Sequence, residues 1–109
     1  MSNYVFIESR DPFESPDTSF VANTATALKK RGNSVTVFLV QNGVLAIRKQ
    51  ARKSQLSQLF ESGVTVLADD FSLRERGLDS TETHNAVKTS RIDDLVDLLV
   101  QPNTKAVWH

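Results

Sequence analysis

The 109 residues carry 13 basic and 13 acidic side chains, so the formal net charge is zero and points neither to nucleic acid nor to an anionic membrane. Apolar content of 39% and charged content of 24% are those of an ordinary globular domain, and no run of about 20 apolar residues exists to cross a bilayer. Not one residue is cysteine, which removes disulfides, thiolate metal sites and thiol catalysis together. The opening MSNYVFIESRDP has neither the basic nor the apolar region of a signal peptide, and the expectation is a single cytoplasmic domain over residues 1–109.

Residues 4–7 (YVFI) predict a first strand, and the polar stretch after it, broken by Pro12 and Pro16, predicts a loop. Ser15 suits a helix N-cap with Pro16 at the first helical position, and the helix should run to about Arg31 with Val21, Ala25 and Leu28 on one face. Its end is marked by the cations of KKR and by Gly32, which can take the left-handed cap. Residues 35–40 (VTVFLV) are almost continuously apolar and β-branched, the pattern of a strand buried on both faces of a parallel sheet.

After QNG, residues 44–47 should begin a helix that turns basic at RKQARK. Leu56, Leu59 and Phe60 supply the apolar face of the next helical segment, and Gly63 stops it. Residues 64–68 predict a third strand and FSLRER a short helix closed by Gly77, with Asp70 as its N-cap. LDSTETHN carries no core. Residues 86–89 suit a short fourth strand. Ser90 and Asp93 stand at capping spacing before an amphipathic helix through Ile92, Leu95, Val96 and Leu99. Pro102 and Asn103 break it, and KAVWH suits a last strand. This alternation predicts a three-layer α/β/α domain with a mostly parallel sheet.

In such sheets ligands bind outside the carboxyl ends of the strands. That rule selects the loops at 8–11, 41–43, 69–70 and 89–90, together with His109. Asp69 and Asp70 can bind a hard cation or act as a base; the plainer reading has Asp70 capping the helix and Asp69 solvated. Asn42-Gly43 can turn a backbone N–H toward a ligand or simply make a tight turn. The cluster Arg48, Lys49, Arg52 and Lys53 has no interleaved aromatics and reads as a solvated helix face. His84 and His109 have no metal-ligand spacing, and the four glycines form neither a Walker loop nor a dinucleotide fingerprint. The candidate ligand-binding residues are Glu8, Asn42, Gly43, Asp69 and Ser72, with no catalytic residue, metal or cofactor assigned. Asp69 opposes the binding of a bare anion there.

Three segments in succession carry a resemblance. VTVFLVQNGVLAIR, GVTVLADDFSLRERGL and SRIDDLVDLLVQPNTKAVWH resemble, in order, units of the DsrE/DsrF/DsrH superfamily, which includes the sulfur-relay proteins of TusB/C/D type; the DsrH/TusB branch also tends to end near a tryptophan. The resemblance implies a Rossmann-like five-stranded sheet and a homo-oligomer, trimer or hexamer, or a mixed assembly with related subunits. It also implies a place in sulfur oxidation or tRNA thiolation. In active members a cysteine just past the third strand carries a persulfide; by the order of residues that place falls on Asp69, and a second cysteine sometimes seen nearby falls on Ser72. A carboxylate cannot hold a sulfane sulfur. The expectation is therefore a non-catalytic structural or regulatory subunit, without membrane or direct nucleic-acid binding. The alternative is a small-molecule or metal-binding module at the strand edge. A third reading, an acid/base enzyme, would need a carboxylate able to keep its proton at working pH.

Overall fold

The computed structural model describes residues 2–48 and 54–109. Five strands, β1 (Asn3–Glu8), β2 (Ser34–Leu39), β3 (Thr65–Asp69), β4 (Val87–Ser90) and β5 (Thr104–Trp108), form one sheet in the order β4-β3-β2-β1-β5. Every pairing is parallel. The helices are α1 (Thr18–Lys30), α2 (Asp70–Glu75) and α3 (Ile92–Leu99), joined by 3₁₀ segments at Gln41–Ile47, Gln55–Glu61 and Ser80–Glu82.

The strand order explains where these helices sit. From β1 to β4 each strand adds on the same side of its predecessor, so three successive right-handed crossovers lie on one face. The last crossover runs back from β4 to β5 and lies on the other. The core has the same division. Phe6, Val37, Leu39, Val66 and Ala68 pack with Val21, Ala22 and Ala25 of α1, Val44 and Ile47, Leu56 and Leu59, and Leu73 of α2. On the opposite face Val5, Ile7, Phe38 and Val40 pack against Leu95 of α3, with Leu98 and Leu99 at the margin. A sheet buried on both sides needs apolar residues at consecutive positions, which is why VFI and VFLV read as runs rather than alternations.

The helix starts differ from expectation by a few residues, each for a local reason. Residues 15–17 form a turn in which the Thr18 N–H and hydroxyl both donate to the Ser15 carbonyl, at 3.2 and 3.1 Å. Ser15 is therefore not the cap, and α1 begins at Thr18. Gly32 does take a positive φ of 90° at the helix end. The helix expected from Val44 is instead a 3₁₀ stretch starting at Gln41, and the basic continuation at 49–53 lies outside the described residues. Before α3 the capping pair is shifted by one: the Arg91 N–H donates to the Asp94 carboxylate at 2.9 Å, where the sequence suggests Ser90 and Asp93. LDSTETHN holds a capping box, Asp79 receiving the Thr81 N–H at 2.9 Å and Glu82 receiving the Asp79 N–H. Among the described residues no helix is long and apolar enough to cross a membrane.

Burial and hydrogen bonding each make a measurable difference here. α3 is held to the sheet chiefly by Leu95, 7% exposed, whereas Val100 just beyond it is 74% exposed. Leu95→Ala should therefore lower stability by about 2–5 kcal/mol and Val100→Ala by less than about 0.5 kcal/mol, measured by urea unfolding. At Asp79 the Thr81 hydroxyl, and then its backbone N–H, hold the carboxyl below the ordinary aspartate range. These bonds favour the ionised form. Their contribution is complete above the unfolded pKa and fades as pH falls through the lower folded value. An NMR titration should show Thr81→Val moving the Asp79 carboxyl back toward its ordinary value.

Candidate functional site

The carboxyl ends of β3 and β4 feed connections to opposite faces, through α2 and α3 respectively. The crevice that open α/β sheets use for ligands falls between such strands, here at Asp69, which pairs in register with Ser90. Asp69 ends β3 in extended conformation, φ −65° and ψ 121°, and its side chain turns back over the first turn of α2. Its Oδ2 receives the Ser72 N–H at 3.1 Å and the Ser72 hydroxyl at 2.7 Å. Asp69, not Asp70, is thus the N-cap of α2. Asp70 lies inside the first turn and pairs with Arg74 at 3.2 Å, its side chain partly exposed and that of Arg74 largely in solvent.

The Ser72 hydroxyl works in two directions. It donates to Asp69 and accepts the Gln41 N–H at 2.8 Å. Gln41 has a φ of 50°, in the left-handed region that costs a non-glycine residue free energy. Asp69 and Ser72 are both buried, at 4% exposure each. The chain Gln41 N–H, Ser72 O–H, Asp69 carboxylate therefore ties the strained turn after β2 to the end of β3. Arg76 reinforces the same tie from outside, donating through Nε and Nη2 to Asn42 Oδ1 at 3.2 and 3.0 Å, and through Nη1 to the Ser72 carbonyl at 3.2 Å.

Gly43 sits against β1. A Cβ there would stand 2.4 Å from the Glu8 carbonyl oxygen, so no larger residue fits without moving backbone. Its N–H is bonded to the Val40 carbonyl at 2.9 Å. The Gln41 N–H is also bonded, so two of the first donors of the 3₁₀ segment already have acceptors within the protein. Glu8, at the end of β1, is fully buried and faces His109, whose Nδ1 lies 2.9 and 2.8 Å from the two carboxylate oxygens.

All five sequence-selected residues thus come to one edge of the sheet. Asp69 and Ser72 are bonded to each other and Asn42 is tied to them through Arg76, whereas Gly43 lies under the Glu8 carbonyl and the Glu8 side chain faces His109. Two further participants lie outside those five residues. Arg76 stands out in the sequence only as part of the Arg-Gly ending of α2. His109 stands out only as a strand terminus, and the β1–β5 register that sets it opposite Glu8 has no local signal. Among the described residues no group of three His, Cys, Asp or Glu side chains converges as a metal site would require. Away from the strand ends, a shallow open depression of about 300 Å³ lies along the flank of α1 between Asn23, Thr24, Ala27, Leu28 and Arg31.

Because Asp69 is the cap and also anchors Ser72, Asp69→Ala should cost about 1–3 kcal/mol. Asp70→Ala removes only an exposed pair and should cost less than about 0.5 kcal/mol. Urea unfolding of the two variants would reverse this order if Asp70 capped the helix.

The chain was also compared with known proteins. The model of the DsrE/DsrF-like family matches residues 2–104. No curated protein matches the chain. Two solved structures superpose over 100% of both chains. They are the ychN protein from E. coli, at 17% identity and a TM-score of 0.84, and MTH1491, a protein of unknown function from Methanobacterium thermoautotrophicum, at 21% and 0.78. At these identities the likeness is one of fold.

Proposed function

This chain belongs to the DsrE/DsrF-like family, associated generally with sulfur relay, and we propose that within it the protein is a cytoplasmic subunit that carries no sulfur itself and acts as a structural or regulatory partner. The observation that carries this reading is the state of position 69. The family resemblance puts the sulfur-bearing cysteine there. This chain has an aspartate instead, and its carboxylate is tied to Ser72 inside a closed hydrogen-bond chain. No other residue of the chain is a cysteine that could substitute.

Association with copies of itself, or with related subunits, completes the proposal. Among the described residues α3 alone covers its face of the sheet in the core contacts, and Ile92 and Val96, with Val100 just past its end, turn outward at 47%, 51% and 74% exposure. Those three recur at helical spacing along one stripe, and burying them against another chain adds apolar area that a core of this size needs. The alternative, a small-molecule or metal-binding module at Asp69, has less behind it because the side chains there bond to one another.

The test uses a persulfide-loaded donor protein and intact-mass measurement. The natural chain should gain no sulfur. Asp69→Cys should gain one sulfur mass, because it places a thiol at the start of α2 where backbone N–H groups favour the thiolate. An Asp70→Cys control should gain less. A stable sulfur adduct on the natural chain would end the proposal, and equal labelling of the two variants would remove the special standing of position 69. Sedimentation equilibrium at micromolar concentration should show an oligomer.

A further inference from the structure

We infer that Glu8 and His109 form a proton-accepting site at the β1–β5 end of the strand edge, built to take an uncharged hydroxyl or thiol at Nε2 of His109. This reading is independent of the structural or regulatory role proposed above, and β2 separates the pair from Asp69.

The geometry determines the state of the ring. Both oxygens of Glu8 approach the same atom, Nδ1, at 2.9 and 2.8 Å. An ionised Glu8 only accepts, and with Glu8 ionised one N–H is shared between two acceptors and the ring proton sits on Nδ1. In the neutral ring the lone pair is then on Nε2, and no hydrogen bond among the described residues reaches that atom. The backbone holds the ring in place. The His109 N–H donates to the Ile7 carbonyl at 2.8 Å, and the His109 carbonyl receives the Ser9 N–H at 2.9 Å and the Ser9 hydroxyl at 3.0 Å. The ring is mostly covered but not closed off, its side chain being 18% exposed.

Glu8 is costly as a structural residue alone. It is wholly buried, and among the described residues its side chain receives, besides the ring, only the Arg10 N–H at 3.3 Å. A buried carboxylate with so few donors is expensive. It gains most when the ring beside it takes a second proton and becomes a cation. That is the arrangement by which a carboxylate orients a histidine base and stabilises the imidazolium. The step is a plain transfer: the O–H or S–H bond of the ligand breaks, its proton forms the Nε2–H bond, and the electron pair remains on oxygen or sulfur. The negative charge behind the ring disfavours an anionic ligand. The Phe20 ring, centred 6.4 Å from the imidazole, supplies an apolar flank for the ligand's body.

His84 provides an internal contrast. Its Nδ1 accepts the Ala86 N–H at 3.0 Å, which puts the ring proton on Nε2, and the ring lies stacked on Phe60. The two histidines should therefore be opposite tautomers.

Three readouts on the whole protein test this. Nitrogen-15 NMR of the imidazoles should show His109 protonated at Nδ1 and His84 at Nε2; a neutral His109 ring protonated at Nε2 would overturn the inference without any variant being made. Diethylpyrocarbonate acylates an imidazole lone pair, and peptide mapping should find His109 reacting at least as fast as the more exposed His84. Glu8→Gln can present an amide N–H to Nδ1 and move the ring proton to Nε2, so it should slow His109 by more than about tenfold and leave His84 unchanged. A purely structural pair would instead show slow His109 labelling that tracks exposure, with no dependence on Glu8, and that result would sink the inference. Phenol, a neutral donor, should shift the His109 ring resonances saturably, and benzoate, an anion of similar size, should not; the reverse would count against the ligand class.

Discussion

A parallel strand joins its predecessor in the same sheet almost always through a right-handed crossover, and that chirality decides where almost everything else in this protein sits. With the order β4-β3-β2-β1-β5, three crossovers must share one face and the fourth must take the other. The large core, with α1, α2 and two 3₁₀ segments, is the result on one side. On the other, α3 spans the return from one edge strand to the opposite one. The same reversal makes the ends of β3 and β4 diverge and so positions the crevice at Asp69.

What occupies that crevice is a set of polar groups that satisfy each other. Asp69 caps the helix, orients the Ser72 hydroxyl and, through it, steadies Gln41 in a backbone conformation that residue would not choose alone. The residue at this place thus serves the cohesion of the strand edge, joining the ends of β2 and β3.

The architecture is readable in the sequence because burial on both faces leaves an unmistakable pattern. VFI and VTVFLV cannot be amphipathic, and the segments between them carry turn residues and helical spacing. The caps are harder. In ADDF either aspartate can precede a helix, and choosing needs the residue three positions on. Asp69 has Ser72 at that spacing, as Ser54 has Ser57 and Asp79 has Glu82, and in all three places the later side chain or N–H closes the turn. Attention to that offset identifies Asp69. The 3₁₀ winding after Gln41 is not readable, because it depends on Gly43 fitting under the Glu8 carbonyl, a contact between segments far apart in sequence. The meeting of Glu8 with His109 is hidden for the same reason, since it rests on register across the sheet.

That register has a consequence for how the protein is made. β1 contains three buried apolar side chains in a row, Val5, Phe6 and Ile7. One of its two neighbours, β2, comes soon after it in the chain. The other, β5, lies at the far end of the sequence, where the Asn3 N–H reaches the Asn103 carbonyl and Ser9 reaches His109. A nascent chain leaving the ribosome therefore carries an apolar strand that is paired along one flank and open along the other. It stays so for the whole time the intervening residues are translated. Open apolar strand edges recruit other strands. The window between translation of β2 and arrival of β5 is thus when this protein is most prone to wrong pairing, and when a chaperone that shields β1 would matter.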